Sequence, residues 1–252
     1  MAKNYYEILG IELTGDVKII KDAYTKKLRL HANDATSEVF QLIQEAYATL
    51  NDVKKKQAHD TEVMYGPKIE RLREQASEAR EERNYERAHE AYQQLLEYFP
   101  YDDELHNYNG IALDAMGQHK RAIESFEHAI ELDSNNGLYY MNLALLYEDL
   151  EEMQKAIRYF KQAILVQPKE FEYVNKLANV YMRMEDYDYA WQFIEKALKK
   201  AHADGIGQLL YIKKLIEIAV VMNGAFEMKI ALKYVEKFAA ESDNHRQDTL
   251  EI

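Results

Sequence analysis

Cysteine is absent from the 252 residues, which excludes disulfides, zinc–thiolate sites and cysteine nucleophiles and fits a reducing compartment. The eight histidines are scattered, with no pair at a metal-ligating spacing beside a carboxylate, and neither a glycine-rich phosphate loop nor a nucleophile elbow occurs. The chain therefore reads as a non-enzyme, with no cofactor and no metal expected. What remains is the chemistry of recognition. Lys18, Lys21, Lys26, Lys27 and Arg29 share one short stretch, and cations on one helix face either dock on an acidic protein surface or stay solvated. Immediately after them stand His31, Ala32, Asn33 and Asp34.

The elements that carry these residues are helices. Only three prolines and nine glycines punctuate the chain, too few for an all-β fold with many tight turns, and 47% hydrophobic content is enough for packed cores. A formal charge of −12 argues against a nucleic-acid binder, which needs a concentrated basic face. The start Met-Ala-Lys-Asn-Tyr-Tyr lacks an apolar leader, and the most apolar stretch, 216–226, is interrupted by Glu217, Asn223 and Gly224. No membrane span and a cytoplasmic location are the resulting expectations.

A period organises the rest. Ala88, Ala122, Ala156 and Ala190 stand thirty-four residues apart, in register with Ala76, Gly110, Ala144 and Ala178, with Tyr92, Phe126, Phe160 and Ile194, and with Leu95, Ala129, Ala163 and Ala197. Small residues let two antiparallel helices close in, and a large one a turn later fills the groove of the next hairpin. Pro100 and Pro168 fall in one column where a helix must stop, while Ser134 and His202 replace the proline elsewhere. These columns resemble the tetratricopeptide (TPR) family over 69–204. A fifth alanine, Ala231, follows Ala190 by forty-one residues, so the last hairpin is longer; helices at 208–222 and 227–240 are read as its cap, and 241–252 as a polar, frayed tail.

Ahead of the repeats, Asn4-Tyr5-Tyr6-Glu7-Ile8-Leu9-Gly10 reads as a short helix ending at glycine, and Asp16 as the cap of a helix running to about His31. Phe40, Ile43, Ala46, Tyr47 and Leu50 then place one apolar stripe on a second helix, followed by Lys54-Lys55-Lys56 and His59-Asp60. Together with Ala23-Tyr24, Glu45 and Asp52, these residues resemble a J domain over 1–65. J domains stimulate ATP hydrolysis by DnaK-type heat-shock chaperones through a His-Pro-Asp tripeptide between the two long helices and a basic face on the first. Here Ala32, Asn33 and Asp34 take the tripeptide's places, so only the aspartate survives, with His31 one residue early. The resemblance thus implies a docking face on Lys18, Lys21, Lys26, Lys27 and Arg29 beside a disarmed trigger.

The TPR resemblance implies an inner groove that holds an extended peptide or a partner's helix. Projecting the columns inward lines it with Arg73, Ser77 and Arg80, then Asn107, Tyr108 and Ile111, then Met141, Asn142 and Leu145, then Asn175, Lys176 and Asn179. The clamp by which some family members grip a C-terminal carboxylate is incomplete, because Glu70, Glu74, Glu104 and Glu172 crowd the same face. A neutral or basic peptide fits better, although asparagines can equally satisfy hydrogen bonds between helices. The fold expected is all-α: a J-like domain over 1–65, then a TPR α-solenoid, a superhelical array of helical hairpins, with four repeats over 66–204 and a cap and tail over 205–252. Its function is expected to be that of a co-chaperone-like, protein-binding adaptor whose partners are a peptide or protein in the groove and a DnaK-type chaperone. The alternative is an assembly scaffold in which the head only caps the solenoid.

Overall fold

The computed structural model describes residues 3–31, 37–203 and 207–248, and every regular element among them is an α-helix. The chain divides into two compact units, Met1–Met116 and Gly117–Ile252.

The first unit opens with α1 (Tyr5–Leu9), whose start is capped by the Asn4 side chain accepting the Tyr6 N–H and whose end is turned by Gly10 at φ 72°. α2 (Val17–Leu30) is capped by Asp16, as its sequence demands, and α3 (Glu38–Leu50) by Ser37. Tyr6 and Leu9 from α1, Ile20 from α2, and Ile43, Ala46 and Leu50 from α3 form one core. This explains the three-and-four spacing on α3: its stripe faces both other helices.

α4 (Val53–Glu81) then runs unbroken from the end of the head into the first repeat, with Pro67 inside it. Position 65/66 therefore lies within a helix and not in a linker. A proline there forgoes the hydrogen bond to the carbonyl four residues back and disfavours the helix by about 3 kcal/mol. Burial of Ile69, Leu72, Ala76 and Ala79 against Ala88, Ala91, Tyr92 and Leu95 of α5 (Tyr85–Tyr98), together with Ala112 of α6 (Asp103–Ala115), holds the helix together beyond it. Gly66 has open space where a Cβ would stand. Its chain neighbour is Pro67, however, whose ring crowds a Cβ on the preceding residue in helical backbone, so Gly66→Ala is expected to forgo the roughly 0.5–1 kcal/mol that alanine usually gains over glycine inside a helix; a full gain in urea unfolding would mean that the ring leaves the Cβ room.

The second unit comprises α7 (His119–Leu132), α8 (Gly137–Asp149), α9 (Met153–Val166), α10 (Phe171–Arg183), α11 (Tyr187–Ala203), α12 (Leu209–Val221) and α13 (Ala225–Asp248). Its core holds the repeat columns: Ala122, Phe126, Ala156, Phe160, Ala163, Ala190 and Ile194 are all buried. A feature not anticipated from sequence recurs at the turns. Arg83, Gly117, Glu151, Glu185 and Asn223 all adopt positive φ, between 51° and 72°, and only one of them is the glycine that this conformation favours.

α11 runs for 17 residues against 14 in α5, α7 and α9, so its end reaches past the column where Pro100 and Pro168 follow α5 and α9. α13 continues past Ala240 to Asp248.

Candidate functional site

In the head, Ile20, Ala23, Tyr24 and Leu28 pack α2 onto the core, and Tyr24 stacks on Tyr47 of α3 with ring centroids 4.0 Å apart. That rotation leaves Lys18, Lys21, Lys26 and Arg29 exposed, and no ion pair among the described residues engages them. Lys27 is different: half-buried, it lays its Cε and Nζ over Gly10 at the end of α1. Exposed Val17 and Leu30 stand at the two ends of α2, so the surface mixes cations with apolar area. His31 closes α2, its N–H donating to the carbonyls of Lys27 and Leu28 at 3.2 Å. Ala32, Asn33 and Asp34 lie outside the described residues.

Sequence reading missed what anchors α1 to α4. The Tyr6 hydroxyl donates to Asp60 Oδ1 at 2.5 Å, and the Lys56 ammonium pairs with Asp60 Oδ2 at 2.5 Å, with both charged side chains largely buried. Burial disfavours the Lys56 charge, yet hydrogen bonds to Asp60 and Tyr6 hold its pKa above the ordinary lysine value. Burial and the bond to Asp60 push the Tyr6 hydroxyl upward. Beside this pair, the Tyr5 N–H donates to His59 Nε2 at 3.2 Å. The Tyr5 hydroxyl reaches Glu45 of α3. The Lys56 and Asp60 spacing of four residues was the only signal available, and it does not reveal a tyrosine fifty-four residues away.

The His59 arrangement has a consequence for pH. Burial is the largest influence and lowers its pKa, against the opposing pull of Asp60 and Glu62 and with help from Lys56. The unfolded chain therefore binds a proton at His59 near pH 6.5 that the folded chain refuses, so stability present above that pH is lost as pH falls below it. Urea midpoints measured between about pH 7.5 and 5 are expected to decline for the parent and to flatten in this window for His59→Gln; equal slopes would show that His59 does not control the effect.

On α4 to α6, the inward column residues are already occupied by one another. Arg73 pairs with Glu62 at 2.6 Å and sits 5.3 Å from the centroid of Phe99. Arg80 lies 5.0 Å from the Tyr108 ring, which stacks on Tyr92. Ser77 is half-buried, Asn107 is buried and Ile111 is exposed. A cavity of about 730 Å³ is lined by Glu62, Glu70, Glu74, Arg73 and Asn4 beside Pro67, so carboxylates outnumber cations there. In the second unit, Met141, Asn142, Leu145 and Asn175 are half-buried. Lys176 pairs with Glu172 at 3.6 Å. Asn179 accepts a hydrogen bond from Lys214 of α12, which is only 4% exposed and also donates to Glu217 at 2.8 Å. Asn107 is thus buried, and Asn179 links α10 to α12. A second link between repeats joins buried Glu148 of α8 to Arg183 of α10 at 2.6 Å. No group of metal-ligating side chains occurs among the described residues, and no helix there is long and apolar enough to cross a membrane.

Comparison with known proteins agrees with these two architectures. Residues 4–60 match the DnaJ domain family, and residues 73–137 and 138–170 match two tetratricopeptide repeat families. The chaperone protein DnaJ of Ruthia magnifica subsp. Calyptogena magnifica is 46% identical over 65 residues, which are 23% of this chain and 18% of that protein. A curved DNA-binding protein of Pseudomonas putida is 41% identical over 69 residues, 25% of this chain and 22% of that one. The chain thus spans about a fifth of the length of these curated relatives. Among solved structures, the MamA protein aligns with a TM-score of 0.52 at 22% identity over 72% of this chain and 96% of that one. A tetratricopeptide repeat protein from Parabacteroides merdae aligns at 0.53 and 18% identity over 68% and 67%. These structural likenesses are of fold. The chain therefore carries a DnaJ domain at residues 4–60, followed by tetratricopeptide repeats in an all-α fold.

Proposed function

We propose that this protein is a co-chaperone-like adaptor in which the repeats hold a protein partner and the J head docks on a DnaK-type chaperone without strongly triggering ATP hydrolysis. The observation that carries this is the α2 surface: four cations exposed, in no ion pair among the described residues, beside apolar Val17 and Leu30, and next in sequence to Ala32 and Asn33, where the family has histidine and proline. A cationic surface of this kind speeds and orients association with an acidic partner. The missing imidazole and fixed proline φ remove the groups through which the loop would act. For the repeats, the carboxylates around the cavity at Glu62, Glu70 and Glu74 favour a neutral or basic peptide over an acidic one.

The test is single-turnover ATP hydrolysis by a DnaK-type chaperone with the natural protein and with the double variant Ala32→His, Asn33→Pro. The reading expects no stimulation by the first and clear stimulation by the second. Stimulation by the natural protein would make it a working co-chaperone with His31 in the missing role. Silence from both would favour a second reading, an assembly scaffold whose head only caps the repeats. That alternative is supported by α4, one helix shared by the head and the first repeat, since a shared helix fixes the two parts of that unit together.

A further inference from the structure

The last hairpin leaves open a face that the earlier hairpins largely bury. The offset that carries Ala190 to Ala231 also carries Trp191 to Leu232 and Ile194 to Val235. Trp191, Ile157 and His89 share one column at 7%, 8% and 7% exposure with half-buried Ile123, whereas Leu232 is 51% exposed. Ile194, Phe160 and Phe126 share the other at 0%, 0% and 1%, whereas Val235 is 38% exposed. In the earlier repeats the next helix packs over these columns, as α10 does on α9 and α12 on α11. No helix follows α13 among the described residues.

Ala225, Met228, Leu232, Val235 and Ala239 follow one another at spacings of three, four, three and four, the repeat of a helix–helix seam. One flank of that stripe is buried Ala231, which turns toward the unit's own core. The other flank carries Lys229 and Glu236, both exposed and in no ion pair among the described residues. Charge decides what fits there. When two copies of α13 lie antiparallel about a two-fold axis, Leu232 of each faces Val235 of the other, Met228 faces Ala239, and Lys229 lies across from Glu236 twice. A parallel pair would instead set Lys229 beside Gly224 and Glu236 beside Ala231, with no opposite charge to meet.

We infer that a second copy of this chain covers the face, α13 against α13 in antiparallel register. A closed two-fold contact requires one patch to complement itself, and this stripe does so in both its apolar and its charged positions. A seam of a single helix buries less than the roughly 1,200 Å² of a standard stable interface, so the dimer belongs in the micromolar range.

Sedimentation equilibrium of the full chain from about 5 to 300 µM tests the inference across that range. The expected result is a mass rising from the 29.6 kDa of one chain toward twice that value. Leu232→Glu should weaken the association about a hundredfold by setting a carboxylate in the seam, with the thermal unfolding midpoint unchanged because the site is exposed in the monomer. Lys229→Glu and Glu236→Lys should each weaken it about three- to tenfold, and the two together should restore it, since exposed charges at a rim act through their pairing. A monomer at every concentration would overturn the inference and leave the face to a different protein. So would a dimer indifferent to Leu232→Glu, or a double charge exchange that fails to restore what the single changes lose.

Discussion

Phe160→Ala is expected to destabilise the second unit by about 3–5 kcal/mol, the range for removing a phenyl ring from a packed core. Phe160 is fully buried on α9, between the equally buried Ala156 and Ala163, and α9 packs against both α8 and α10. The small neighbours already bring the backbones together, so they offer no side chain long enough to swing into the void. The cost should therefore sit at the upper part of the range, because it rises with the cavity that relaxation fails to close. Phe160→Leu, which keeps most of the volume, should cost under about 1.5 kcal/mol. Trp191 is the only tryptophan and lies buried in α11 of the same unit, so its fluorescence during urea unfolding reports this loss directly. A loss below about 1 kcal/mol would contradict the repeat register, since a residue of that column must then lie outside the core.

Asp60→Ala should cost the first unit about 3 kcal/mol, because it leaves the Lys56 ammonium and the Tyr6 hydroxyl in a largely buried place without their shared acceptor. The size depends on the partners left behind more than on the pair itself. Tyr6→Phe, which removes one donor and leaves the ion pair intact, should cost only about 1 kcal/mol. Lys56→Met combined with Asp60→Leu should recover most of the loss, since well-packed apolar residues often replace a buried pair at little net cost. Urea unfolding of the four proteins measures these differences, and amide exchange at α1 locates them. If Asp60→Ala behaves like Tyr6→Phe, water reaches Lys56 and the cluster is not what fastens α1 to α4. If the loss is large, the docking surface of α2 inherits it, because Tyr6 and Leu9 of α1 are part of the core on which α2 rests.

Much of the fold was legible because it is written in local terms. The thirty-four-residue period needs only helices that bury the same columns each time, and all four alanines from Ala88 to Ala190 are buried. Caps at Asn4 and Asp16 act on backbone groups two residues away, so their spacing carries the information. The exposure of Lys18, Lys21, Lys26 and Arg29 follows from the apolar stripe on the opposite side of α2. Lys27 departs from them because the closeness of α1, and not the pattern of α2, determines where its ammonium lies.

Interactions between distant segments were the part that only the folded chain decided. Pro67 by itself disfavours a helix, yet burial of Ile69, Leu72, Ala76 and Ala79 against α5 outweighs that cost and keeps α4 whole. Asn179, one of the residues projected into the groove, accepts a hydrogen bond from Lys214, thirty-five residues away. That a lysine is buried at all depends on this acceptor and Glu217 meeting it in space. Leu232 and Val235 stand in columns that earlier repeats fill mostly with buried apolar residues such as Trp191 and Phe160, and no helix among the described residues follows to cover them. By itself the sequence determined the helices, their period and the kinds of domain, because those arise from propensity, capping and local burial. Which polar groups pair, which helix continues and which apolar face stays open arose in the tertiary structure, where segments far apart in the chain are brought within hydrogen-bonding or van der Waals distance.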